Sequence, residues 1–262
     1  MRVVLLGSGG SAGVPMIGGA DGTGDWGNCD PAEPRNRRTR TSIVVENPAG
    51  QRLLVDTSPD LRTQLLACGI PGIDAILFTH AHADHITGLD DVRILNRIAG
   101  RPLPAFATAS VLAELDARFP YAFRPWQPPG FFRPVLETRP IEAGETVQIS
   151  GLPVRTFVQD HGYGLSLGLR IGAFGYSTDV VRLDRAAFDA LSGVETWVVD
   201  CFGLSPHPTH AHLDLALAWA ARVGARRTVL THLGTDMDWA SVARQLPANV
   251  ELAFDGMVLE SR

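Results

Sequence analysis

Short apolar runs, each closed by a glycine, a proline or a polar cluster, recur along the chain. Val3 to Leu6 reads as a buried strand that enters the flexible loop Gly7-Ser8-Gly9-Gly10-Ser11-Ala12-Gly13. Ser42 to Glu46 and Arg52 to Asp56 read as strands around Asn47-Pro48-Ala49-Gly50, which has hairpin-turn chemistry. Pro59 to Cys68 has helical spacing, and Gly69 stands where such a helix ends. Ala75 to Thr79 is another apolar strand, and it stops at a run of histidines. Helices are expected over Leu89 to Ile98 and Ala109 to Phe119, then strands over Thr146 to Ile149, Val154 to Gln159, Ser166 to Ile171 and Phe174 to Ser177. The remainder alternates: strand Thr196 to Asp200, helix Leu213 to Val223, strand Thr228 to Thr231, helix Trp239 to Gln245 and strand Val250 to Phe254. Strand groups followed by helices in both halves predict α/β, or layered α+β, architecture with helix-covered sheets.

The glycine loop is not a dinucleotide fingerprint. Its spacing departs from G-x-G-x-x-G, and Pro15, Gly18 and Gly19 follow where a helix should begin. Residues 16 to 41 are glycine-rich and then carry Arg35, Arg37, Arg38 and Arg40, so a long surface loop with local positive charge is expected. Composition narrows the class further. In 262 residues, 45% are hydrophobic and 19% charged, which supports a sizeable core. The net charge of −5 argues against broad nucleic-acid binding. Three cysteines, Cys29, Cys68 and Cys201, are too scattered for a disulfide framework. The opening apolar run breaks at Gly7, short of a signal-peptide core, and no stretch approaches a membrane span. A cytoplasmic location is therefore expected, with no membrane partner.

Chemistry concentrates in His80-Ala81-His82-Ala83-Asp84-His85, directly after a strand. A turn at a sheet end can bring such side chains to one point. Neutral imidazoles and carboxylates suit zinc, manganese or iron, and four so close together exceed what one tetrahedral ion uses easily. The natural expectation is a dinuclear centre.

This hexapeptide resembles the signature of the metallo-β-lactamase superfamily of hydrolases. The resemblance covers essentially the whole chain and implies a four-layer αββα sandwich, a single domain over 1–262. It also implies three further ligands, each after a strand: His161, Asp179 and His232. On that basis His80, His82 and His161 hold one divalent ion and Asp84, His85 and His232 another. Asp179 bridges the two, and Asp84 orients the nucleophile. The implied cofactors are two zinc or manganese ions. Flavodiiron reductases place glutamate where this chain has His82, and the best-known lactamases place cysteine where it has Asp179. Neither chemistry is therefore expected.

The glycine-rich opening, Asp56-Thr57-Ser58-Pro59-Asp60, the stretch His82 to Arg93 and Asp255-Gly256-Met257 are similar to the branch typified by phosphoribosyl 1,2-cyclic phosphate phosphodiesterase. That implies hydrolysis of a small phosphodiester, and a homodimer. The branch often has a cysteine-rich structural zinc site, of which only Cys29 stands here, so none is expected. In Pro208-Thr209-His210-Ala211-His212-Leu213-Asp214, the resemblance implies a helix-start histidine that contacts phosphate; His212 is assigned this role, with His210 next. Residues 119 to 134, rich in aromatics, proline and arginine, suggest a lid, a subunit edge or core packing. Three rivals remain: a tRNA 3′-processing endonuclease, a glyoxalase-type thioesterase, and a non-catalytic carrier like the pyrroloquinoline quinone biosynthesis B protein.

Overall fold

In the computed structural model, which describes residues 1–261, the chain opens with β1 (Arg2–Gly7), β2 (Ser42–Glu46), β3 (Arg52–Val55) and α1 (Leu61–Ala67). There follow β4 (Ala75–Leu77), α2 (Ala83–Ile86), α3 (Val92–Ala99), β5 (Leu103–Ala107), α4 (Ala109–Arg118) and β6 (Leu136–Pro140). A meander of β7 (Thr146–Ile149), β8 (Leu152–Asp160), β9 (Leu165–Ile171) and β10 (Phe174–Ser177) leads into α5 (Arg185–Leu191) and β11 (Thr196–Asp200). The chain closes with α6 (Leu213–Val223), β12 (Arg227–Thr231), α7 (Trp239–Ala243), β13 (Val250–Leu252) and β14 (Val258–Glu260).

These strands make two seven-stranded sheets, in the orders β14-β1-β2-β3-β4-β5-β6 and β13-β12-β11-β10-β9-β8-β7. The alternation of side chains in β1 shows how the layers arise. Val3 and Leu5 point between the sheets, against Val154, Leu169 and Tyr176, whereas Val4 and Leu6 meet the helices outside. Helices α1, α3 and α4 cover the outer face of the first sheet through Leu61, Leu65, Leu95 and Leu115. Helices α5, α6 and α7 cover the second through Phe188, Ala216, Trp219 and Val242, packed on Trp197 and Leu230. The result is the expected αββα sandwich.

Three strands and two helices lie outside the sequence expectation: β5, β6, β14, α2 and α5. Strand β6 is an edge strand with four of five residues exposed, so no apolar period marks it. The aromatic segment is mostly packing: Phe119, Tyr121 and Phe123 lean on the first helix-covered core, and Trp126 stacks on Phe131 at 4.7 Å.

The arginine loop departs from its expected surface character. Arg38 is 2% exposed. Its guanidinium donates to the Gly234 carbonyl at 3.1 Å, the Met237 carbonyl at 2.6 Å and Asn36 Oδ1 at 3.0 Å, with Cys29 Sγ 3.9 Å away. Asn36 in turn donates to Asp238 at 2.7 Å. This network ties residues 29–38 to the segment that follows β12. Replacing Arg38 by methionine keeps the apolar stem but leaves those buried carbonyls unpaired. The expected cost is about 2 to 4 kcal/mol, which lowers the melting temperature by roughly 5 to 10 °C in a chain of this size. Thermal denaturation followed by circular dichroism measures it; a shift within about 2 °C contradicts the assignment.

Candidate metal centre

Six strand ends meet at one rim. Strands β3 and β4 run parallel, as do β10, β11 and β12, and the antiparallel β8-β9-β10 meander returns β8 to the same direction. Their C-terminal ends supply, in order, Asp56, the turn His80 to His85, Asp179, Asp200, His232 and His161.

Beside a three-residue group of Asp200, His210 and His232, two four-residue clusters of donor atoms form there, each within 4.8 Å: His80, His82, His161 and Asp179, and Asp84, His85, Asp179 and His232. Asp179 belongs to both, and its two oxygens divide between them. Oδ2 lies 3.6 Å from His80 Nε2 and 3.5 Å from His161 Nε2, while Oδ1 lies 3.1 Å from His85 Nε2 and 3.5 Å from His232 Nε2. Asp84 Oδ2 completes the second group at 3.3 Å from His85 Nε2 and 3.6 Å from His232 Nε2. His82 Nδ1 stands 3.1 Å from His161 Nε2. Donors set tetrahedrally about 2.1 Å from one ion are roughly 3.4 Å apart, so these spacings suit a coordination shell.

The hydrogen bonds of the opposite ring nitrogens agree. His161 Nδ1–H donates to the Thr209 carbonyl at 2.8 Å, and His85 Nδ1–H to Asp56 at 2.8 Å. Thr79 spends its hydroxyl proton on Asp56 at 2.8 Å and so accepts from His80 Nδ1 at 3.0 Å. Each such bond leaves Nε2 bare and aimed inward, the arrangement that orients metal-ligating histidines. The Nε2 atoms of His80, His85 and His232 are buried without any hydrogen-bond partner. Orphaned, converging nitrogens beside a shared carboxylate fit divalent metal ions.

Electrostatics follow from the burial. Burial alone would raise the Asp179 carboxyl, but the charges of His232, His85 and His80 outweigh it and hold it well below the carboxylate range. Burial opposes protonation of His85 and His232 as well. The Asp179 and Asp56 carboxylates win at His85; at His232, the neighbouring Asp179 and Asp84 push the ring up to about 9. His80 goes the other way, lowered by burial and by His85. Against its burial, the neighbouring rings of His232 and His85 hold Asp84 far down.

The two histidines at the helix start are placed differently. His212 is the N-cap residue of α6 with no side-chain cap bond, and among the described residues its ring joins none of these clusters. His210 instead stacks on His232 at 4.6 Å and meets His161 at 4.8 Å, and its Nδ1–H donates to Asp200 Oδ2 at 2.9 Å. Asp56 and Asp200, both fully buried, had no chemical role in the sequence reading. The signal they offered was an aspartate closing an apolar strand.

Residues 51–233, most of the chain, match the family model described as a beta-lactamase superfamily domain. A curated octanoyltransferase of Porphyromonas gingivalis (strain ATCC BAA-308 / W83) is 32% identical over 261 residues, covering 98% of this chain and 51% of that protein; the chain spans about half its length. Ribonuclease Z of Mycobacterium sp. (strain KMS) is 27% identical over 258 residues, covering 85% of this chain and 90% of that protein. A solved structure described as a new diphosphatase from the PhnP family superposes with a TM-score of 0.89 at 36% identity, covering 100% of this chain and 98% of that one. Zinc-bound PqqB from Methylobacterium extorquens, at 21% identity and a TM-score of 0.76 over 100% of both chains, shares the fold. With that fold and a family match over most of its length, the chain belongs to the metallo-β-lactamase superfamily of hydrolases.

Proposed function

We propose that the chain hydrolyses a P–O bond of a small phosphodiester at the rim where the two donor clusters meet. The observation that carries this reading is the division of Asp179, one oxygen to each ring of bare histidine nitrogens. His80, His82, His161 and Asp179 would hold one divalent ion, zinc or manganese, and Asp84, His85, His232 and Asp179 the other. Such a pair supplies a lowered water pKa and positive charge for the phosphate oxygens when bound.

The chain's own side chains do the rest. The ionised Asp84 accepts a hydrogen bond from the attacking water and orients it. His210, stacked beside both clusters, gives a proton from Nε2 to the departing oxygen. Asp200 holds its Nδ1–H and stabilises the charged ring that precedes transfer. His82, the exposed member of its cluster, marks the open side from which substrate enters.

A tRNA 3′-processing activity is the second reading, favoured by the similarity to ribonuclease Z. The arginines that would grip RNA are otherwise engaged: Arg35 pairs with Glu33 and lies over Trp239, Arg37 lies over Trp26, Arg38 is buried and Arg40 pairs with Asp60. This favours a small substrate over a nucleic acid. The proposal also takes residues 1–262 as one catalytic domain and the compartment as the cytoplasm; among the described residues no helix is long and apolar enough to cross a membrane.

Two measurements test the reading. Elemental analysis of the wild type is expected to find two divalent ions per chain, and of Asp179→Ala at most one, since both clusters lose a donor; two retained ions contradict the bridge. Assays with bis-p-nitrophenyl phosphate, 2′,3′-cyclic nucleotides and phosphoribosyl cyclic phosphate are expected to show turnover that His210→Ala lowers about 10²- to 10⁴-fold with metal content unchanged. No turnover on any of them, or salt-dependent tRNA binding in its place, overturns the proposal.

A further inference from the structure

The loop between β11 and α6 carries three histidines, and the proposed reaction uses one of them. His207 is half-buried, and its ring packs against Phe202 at 4.9 Å and His210 at 5.2 Å between centroids. Thr209 fixes its orientation: the Thr209 amide stands 3.4 Å and its hydroxyl 3.1 Å from His207 Nδ1. A backbone N–H can only donate, so Nδ1 is the bare nitrogen and the ring proton sits on Nε2. Burial, together with the charge of His210, holds the ring below its ordinary imidazole range, which keeps it a neutral donor at neutral pH. The carbonyl of the same Thr209 accepts from His161 Nδ1, so one residue fixes His207 relative to the first donor cluster.

His210 has the opposite arrangement, with Nδ1–H given to Asp200 and Nε2 left over. Two imidazoles therefore stand side by side, both anchored through Nδ1 and both with Nε2 unpartnered among the described residues. Behind them Phe202 is wedged over the glycine loop: a Cβ at Gly10 would stand 2.8 Å from its ring, and the ring stacks on His210 at 5.2 Å. His207 thus sits one ring farther from the donor clusters than His210. A neutral N–H donor at a half-buried position gains most from an anionic oxygen. A substrate whose reacting phosphorus lay beside His210 would bring its next group toward this outer ring.

We propose that His207 contacts substrate, its Nε2–H binding an oxygen of a second phosphoryl group next to the reacting one, so that among small phosphodiesters the site binds those with an adjacent second phosphoryl group more tightly. The proposal rests on the phosphoester hydrolysis proposed above for this same rim. The test avoids turnover. Isothermal titration of the metal-loaded protein with methylenediphosphonate and with methylphosphonate gives a ratio of affinities for the wild type, His207→Ala and His207→Gln. The wild-type ratio is expected to exceed that of His207→Ala by about tenfold. In His207→Gln the amide still donates from a similar reach and keeps part of the difference. The ¹⁵N signal of His207 Nε2 is expected to shift with the diphosphonate and not with the monophosphonate. A ratio that His207→Ala leaves unchanged, including an equal loss on both ligands, overturns the assignment. A protein that turns over no phosphodiester yet shows the His207-dependent ratio overturns the hydrolytic reading and leaves this one standing.

Discussion

The structure turns on Asp179, a buried carboxylate that must face two groups of histidines at once. Its backbone sits in the left-handed region, with φ of 52°, and so do Asp56 at 64° and His232 at 59°. Residues with a side chain enter that region at a cost of order 1 kcal/mol or more each, and they persist where the surroundings over-determine them. Here they do. Thr178 donates to Asp179 Oδ1 at 2.6 Å, Ser166 to its carbonyl at 2.8 Å, and the next amide, Val180, to Asp200 at 2.8 Å. Each of the three sharp turns falls just after a strand and turns a polar side chain into the space between strand ends.

That constraint explains why the supporting residues matter as much as the donors. Asp56, Thr79 and Thr209 each occupy one ring nitrogen and so decide which nitrogen faces the centre. Asp200 does the same for His210 and lies 3.9 Å from His232 Nδ1, which couples the candidate proton donor to a donor of the second cluster. The loop after β1 and the loop after β12 share this rim. Gly9 bridges to both Arg40 and Leu233, and Arg38 fastens the second loop from below. The two halves of the sandwich are therefore joined at the place where His232 must be held.

Much of this was legible in the sequence because buried strands read as apolar runs, and each donor of the two clusters follows or closes one. The parallel strands β4 and β11 have every residue buried, and β12 all but Arg227, which is the pattern that a single sequence displays most plainly. Strand β6 was invisible because pairing with β5, not composition, makes Leu136–Pro140 a strand. His210 was ranked behind His212 for a similar reason. What sets His210 apart is its bond to Asp200, ten positions earlier at the end of β11, and nothing local to the helix start records that partner. The burial of Arg38 is also a long-range effect: its partners Gly234 and Met237 are nearly 200 residues away. An arginine-rich stretch reads as solvated until those carbonyls are in place.

The similarity to a diphosphatase, a ribonuclease Z and a zinc-bound PqqB shows one sandwich carrying several activities, so chemistry must be argued from the rim and not from the layers. The central claim is that Asp179 is shared between two cations. Anomalous diffraction from crystals grown with manganese or zinc, recorded at the metal's absorption edge, tests it most directly. The account predicts two peaks, one on each side of the Asp179 carboxylate, the first among His80, His82 and His161 and the second among Asp84, His85 and His232. A single peak, or a pair located away from Asp179, would contradict it.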